Sequence, residues 1–81
     1  MDVIHLHIVS PEGTLVEQAV SAVTLPGTLA PFEILKDHAA LISSLEKGEI
    51  VYVSEGKEQR LPIASGFVEV LRNKVDVCVE A

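Results

Sequence analysis

A repeat of two residues runs through most of this chain, and it constrains the fold more than any other feature. Val75, Val77 and Val79 alternate with Asp76, Cys78 and Glu80. Such a period belongs to a strand with one apolar and one outward face. Asp2 to Ser10 reads the same way, with Ile4, Leu6 and Ile8 on one side and Val3, His5, His7 and Val9 on the other. Thr14–Val20 and Ser21–Leu25 continue as strands. Further on, Ile50 and Tyr52 oppose Val51 and Val53, Glu58–Ala64 returns, and Val68 and Val70 oppose Phe67, Glu69 and Leu71. Turn chemistry punctuates these runs at Pro11-Glu12-Gly13, Lys47-Gly48, Glu55-Gly56-Lys57 and Arg72-Asn73-Lys74. Pro62 assigns its strand to a sheet edge or a bulge. The expected fold is all-β: a small, flattened two-sheet β-sandwich of about eight to ten short strands, spanning residues 1–81 as one domain.

The exception to the period is Leu25–Leu45, which reads LPGTLAPFEILKDHAALISSL. Pro26-Gly27 is turn chemistry, and Phe32, Ile34 and Leu35 are too apolar for a free loop. A loop with its own hydrophobic anchors is held in shape, and held loops tend to carry function. Phe32–Leu35 reads as a short strand within it. Ala39–Leu45 fits a strand and a one-turn helix equally well.

Composition narrows the function classes. The chain has 81 residues, so it buries only about 60% of its unfolded surface and has a thin margin of stability. Its 48% hydrophobic content is carried by Val, Leu and Ile. The net charge of −6 argues against nucleic acid and anionic lipid as partners. A single cysteine, Cys78, permits no internal disulfide and points to a reducing compartment. Its place in an alternating strand suggests a small buried or half-buried side chain, and the carboxylates of Asp76 and Glu80 disfavour a thiolate. No apolar run approaches the roughly 20 residues of a membrane span, and no signal peptide is evident. Several strands are apolar on both faces, and apolar surface left over in so small a sandwich implies a partner.

Chemistry-bearing patterns are sparse. His5 and His7 share one strand face and with His38 could ligate a metal, but two histidines on an outer face account for them more simply. Ser65-Gly66 lacks the G-x-S-x-G frame of a nucleophile elbow. The carboxylate pairs Glu46/Glu49, Glu55/Glu58 and Asp76/Glu80 read as solvated turns and strand faces, and Pro26-Gly27-Thr28 is no phosphate loop. We expect no catalytic residue, no cofactor, no metal and no small-molecule substrate. The rival reading is a lipoyl- or biotinyl-like swinging-arm carrier, with Lys47 the nearest candidate for modification in the wrong local context.

The central loop and its flanks resemble a known family. Leu25-Pro26-Gly27-Thr28, then Ile34-Leu35, then His38-Ala39 and Leu41-Ile42 are similar to the loop L-P-G-x-x-G-x-x-G-I-L-P-x-H-A-P-L of the epsilon subunit of the bacterial F-type ATP synthase. His5–Gly13 resembles that family's opening strand and turn. Ser65-Gly66-Phe67-Val68-Glu69-Val70 resembles its late S-G-G-F-V-E-V strand.

The resemblance implies a non-catalytic rotor subunit that links the gamma subunit of the central stalk to the membrane c-ring and couples proton translocation to ATP synthesis. It also implies a cytoplasmic protein, peripheral on the inner face of the cell membrane without direct insertion. It assigns a c-ring-facing loop to Thr28, Leu29, Pro31, Phe32, Glu33, Asp37 and His38, and a gamma-facing patch to Ser10, Leu41, Ile42 and Ser43. Leu41 and Ile42 read equally well as core. The chain departs from the pattern where Ala30 or Pro31, and Glu33, replace glycines, where Lys36-Asp37 precedes His38, and where Ala40 replaces proline. The loop backbone is therefore not expected to be identical. With Ala81 following the last strand directly, the family's C-terminal helical hairpin is expected to be missing, and with it an ATP site and that hairpin's inhibition of hydrolysis.

Overall fold

The computed structural model describes residues 2–80. Nine strands follow in order: β1 (Ile4–Ser10), β2 (Gly13–Val20), β3 (Ala22–Leu25), β4 (Phe32–Ile34), β5 (Leu41–Leu45), β6 (Gly48–Ser54), β7 (Lys57–Ile63), β8 (Ser65–Leu71) and β9 (Lys74–Glu80). They form a five-stranded sheet in the order β2-β1-β9-β8-β5 and a four-stranded sheet in the order β4-β3-β6-β7. No helix occurs among the described residues, and the ambiguous run after Ala39 is the strand β5. The β-sandwich expected from the period of two is the fold observed.

All pairings are antiparallel except β1 with β9, which runs parallel from His5↔Lys74 to Val9↔Cys78. This pairing places β9 at the centre of the larger sheet. The inner face then follows from alternation. Ile4, Leu6 and Ile8 of β1, Val68 and Val70 of β8, and Val75, Val77 and Val79 of β9 are buried. They meet Val23, Leu25, Ile34, Ile50, Tyr52 and Ile63 of the smaller sheet. No polar side chain is buried among the described residues, so the core is filled almost wholly by branched aliphatic side chains, each worth about 1.5–3 kcal/mol on burial.

The turns use backbone that the local sequence permits. Glu55-Gly56 (φ 52° and 75°) and Arg72-Asn73 (φ 52° and 62°) both lie in the left-handed region. That is the geometry of two-residue hairpins whose twist matches the flanking strands. β1 and β2 are joined through Pro11-Glu12 into Gly13, with an irregularity between Ile8 and Val9. Pro62 sits on β7, an edge strand, where its missing N–H is tolerated.

Polar links hold the sheets together at their margins. The Ser21 N–H donates to the Val53 carbonyl at 2.8 Å, and the Ser54 hydroxyl donates to the Ala19 carbonyl at 3.1 Å. The Glu55 N–H donates to Asp2 Oδ2 at 2.9 Å.

One expectation is corrected. Cys78 is exposed, not buried or half-buried. β9 turns its three valines inward with strict alternation, so Cys78 points outward with Asp76 and Glu80, and no element covers that side.

Candidate docking surface

Two surfaces collect the residues singled out by sequence. The first is the crossing from β3 to β5. Gly27 is buried and forms an isolated antiparallel bridge with Leu45, while the Glu46 N–H donates to the Pro26 carbonyl at 2.9 Å. A Cβ at Gly27 would lie 2.6 Å from the Ala30 carbonyl oxygen and 2.8 Å from the Phe32 ring. The loop therefore folds back over a residue that must lack a side chain.

A hollow of about 320 Å³ results, lined by Thr28, Leu29, Phe32, His38, Leu41 and Ser43 together with Gly27 and Ala30. The Thr28 and Ser44 hydroxyls meet at 3.5 Å. His38 is half-buried, with Nδ1 2.8 Å from the Ala39 carbonyl. Leu29 is fully exposed at the loop tip. The structure thus brings together four of the residues assigned to the c-ring loop and adds Leu41 and Ser43, which the sequence grouped elsewhere. Pro31 lies beside a neighbouring hollow with Pro26 and Lys47. Glu33 pairs with Thr24 on the outer side of the smaller sheet. Asp37 reaches away to Asn73.

The second surface is the outer face of the five-stranded sheet. Register aligns Val9, Cys78, Phe67 and Ser44 in one row across β1, β9, β8 and β5. The next row runs His7, Asp76, Glu69 and Ile42. Phe67 is 55% exposed, Ile42 74% and Leu71 51%, an uncovered apolar band in a chain with few large side chains to spare. Ser10 lies at one margin, where it lines a second hollow of about 430 Å³ with Val9, Phe67 and Cys78. Its hydroxyl is 3.2 Å from Glu12 Oε1 and also accepts from the Glu12 N–H at 3.2 Å, so it is engaged in its own turn.

Of the four residues assigned to the gamma-facing patch, Ile42 lies along this face and Ser10 only at its margin, at the end of β1. Leu41 packs against the core and Ser43 is half-buried on the loop side. Phe67 is not among the residues assigned from sequence; the signal that marks it is an aromatic on the face of its strand opposite Val68 and Val70. Asn73 had no such signal.

The charged contacts lie on the exposed surface. His5 Nε2 lies 3.8 Å from Glu17, and His7 Nδ1 lies 3.8 Å from Asp76, all on the outer face. Among the described residues no three His, Cys, Asp or Glu side chains gather as metal ligands. The one clear pKa shift among the described residues is that of Arg60, raised by hydrogen bonds to Glu49 and then Glu58 at 3.1 and 2.6 Å. This cluster is on the outer side of the smaller sheet. The Ser43 hydroxyl donates to the Ser44 carbonyl at 3.0 Å. Lys47 sits in the β5–β6 connection, which passes from one sheet to the other, and not at the tip of a hairpin of the kind a modified lysine would occupy.

Comparison with known proteins follows the same outline. A family model described as ATP synthase, Delta/Epsilon chain, beta-sandwich domain matches residues 3–81. The chain is 43% identical over 75 residues to the ATP synthase epsilon chain of Desulfitobacterium hafniense, covering 93% of this chain and 57% of that one. It is 40% identical over 80 residues to the ATP synthase epsilon chain of Carboxydothermus hydrogenoformans, covering 99% and 60%. It therefore spans somewhat over half the length of these relatives. Among solved structures, a chain of the Euglena gracilis mitochondrial ATP synthase (OSCP/F1/c-ring) is similar with a TM-score of 0.91 at 23% identity, over all of this chain and 52% of that one. A chain of the Tetrahymena thermophila mitochondrial ATP synthase (central stalk/c-ring) is similar with a TM-score of 0.82 at 15% identity, over 98% and 64%. At those identities the two structures speak to the fold alone.

Proposed function

The chain belongs to the family of ATP synthase delta/epsilon chain β-sandwich domains, and on that premise we propose that it is a non-catalytic rotor component that joins the gamma subunit of the central stalk to the membrane c-ring. Its work is mechanical. It takes up torque at one surface and delivers it at another, so that proton translocation stays coupled to ATP synthesis. The single observation that carries this reading is the match from residue 3 to residue 81, at about 40% identity to epsilon chains along nearly the whole length.

The geometry supplies what such a part needs. A close-packed interior has low compressibility and passes force on without yielding. Two separate surfaces are available, as a linker requires. The loop hollow, with Thr28, Leu29, Phe32 and His38 around it and Pro31, Glu33 and Asp37 on its flanks, is the c-ring side of the proposal. The outer face of the five-stranded sheet, from Ser10 past Phe67 to Ile42, is the gamma side. Leu41 and Ser43 lie between the two. A stable partner surface is large and apolar at its centre, and Phe67, Ile42 and Leu71 supply apolar area there. Among the described residues no helix is long and apolar enough to cross a membrane. In this proposal the domain formed by residues 1–81 stays on the cytoplasmic face, held at the inner membrane through the complex.

The test is reconstitution. An ATP synthase stripped of its epsilon chain, returned to vesicles with and without this protein, is assayed for ATP-driven proton pumping. The protein is expected to restore pumping per ATP hydrolysed. No restoration, with the stripped enzyme still hydrolysing ATP, would overturn the proposal.

A further inference from the structure

The tip of the β8–β9 hairpin holds the loop between β4 and β5 by a two-point clasp. The Asp37 N–H donates to Asn73 Oδ1 at 2.7 Å. Asn73 Nδ2 donates to Asp37 Oδ1 at 3.1 Å. One side-chain amide is thus used at both ends on one residue, 36 positions away in sequence. The Asn73 carbonyl also accepts from the His5 N–H at 2.8 Å, so the same residue is anchored to β1.

The backbone is shaped to permit this. Asp37 and Asn73 both have left-handed φ, 63° and 62°, the region that Asn and Asp tolerate best after glycine. Glycine would make the hairpin turn equally well but would offer no clasp. Among the described residues, every side-chain hydrogen bond that ties residues 35–40 to the rest of the molecule ends on Asn73. The other contacts, His38 N–H to the Leu35 carbonyl at 3.2 Å and His38 Nδ1 to Ala39, stay within the segment.

We propose that Asn73 is the positioning residue of the ring-facing loop. It fixes Asp37, and through it Lys36 and His38, relative to the five-stranded sheet, so that load taken up at the loop passes directly into β1, β8 and β9. This rests on the proposed docking of that loop to the c-ring. Without the clasp the loop has to be ordered on binding, and fixing even one residue weakens association about tenfold.

The variant Asn73→Gly keeps the turn and removes the clasp. Glu55→Gly, in the matching turn of the β6–β7 hairpin, controls for a softened turn. Amide exchange of the full chain reads the loop, and binding to the detergent-solubilised gamma–c-ring rotor of an epsilon-depleted ATP synthase reads the docking. In Asn73→Gly the Asp37 amide should exchange about tenfold faster and rotor binding should weaken about tenfold, while Glu55→Gly changes neither. An unchanged Asp37 exchange rate overturns the clasp. Faster exchange with unchanged rotor binding overturns the positioning role and leaves the rotor reading standing. A wild-type chain that does not bind the rotor overturns both.

Discussion

Of the glycines, Gly66 leaves the least room for a side chain, and Gly66→Ala tests the packing directly. Gly66 is paired on both sides, with Val79 on β9 and Leu45 on β5. An added Cβ would stand 2.4 Å from the Cys78 carbonyl oxygen and 3.2 Å from the Val79 Cα. Ordinary contact begins at 3.4 Å, so one strand must retreat by about 1 Å. The obstacle is backbone, and no rotamer change relieves it. A 1 Å retreat takes a ladder hydrogen bond beyond its range. Two such bonds at about 1 kcal/mol each, with about 1 kcal/mol of lost packing, give about 3 kcal/mol. For a domain of this size about 3 kcal/mol lowers Tm by roughly 12–24 °C. Gly56→Ala is the control. Its Cβ meets nothing within 4 Å, but its φ of +75° costs about 1 kcal/mol. Thermal unfolding followed by circular dichroism compares the two. A Gly66→Ala chain that melts within about 3 °C of the parent, or no lower than Gly56→Ala, would refute the claim that β8 and β9 are packed backbone to backbone.

Other outcomes follow from the same geometry. Ile50 is wholly buried between the sheets, so Ile50→Ala should cost about 2–4 kcal/mol in urea unfolding. Arg60 holds Glu49 and Glu58 on an exposed face, and Arg60→Ala should leave Tm within about 2 °C, because solvated ion pairs contribute little. Gly27→Ala forces the loop off its close approach to Ala30 and Phe32. It should broaden the NMR signals of Thr28 to Phe32 while those of β8 and β9 stay in place.

Most of the sandwich can be read from the chain because alternation and burial coincide. β9 shows this fully, with three valines in and four polar or small side chains out. β5 could not be read, since five residues of LISSL carry too little period to separate strand from helix, and its pairing with β8 is a tertiary fact. The parallel union of β1 with β9 has no local signal either, because it joins the two ends of the chain. For the site, the loop residues were identifiable by resemblance, but their grouping was not. Leu41 and Ser43 turn towards the loop hollow and Ile42 away from it, a division set by strand parity once β5 exists. The exposure of Cys78 is not readable from the chain, because alternation gives two faces without saying which is covered. The clasp between Asp37 and Asn73 spans two loops, and nothing in either loop alone points to the other.

In the proposed function the chain holds a stalk partner on the outer face of its five-stranded sheet. The most direct measurement is the affinity of the intact chain for the isolated gamma subunit, with Phe67→Glu as the comparison. Phe67 is exposed on that face and contributes nothing to the core, so the variant should melt like its parent. Firm binding by the parent and a loss of about thirtyfold or more in the variant are expected. Equal affinities, or a parent chain that does not bind gamma at all, would contradict that function.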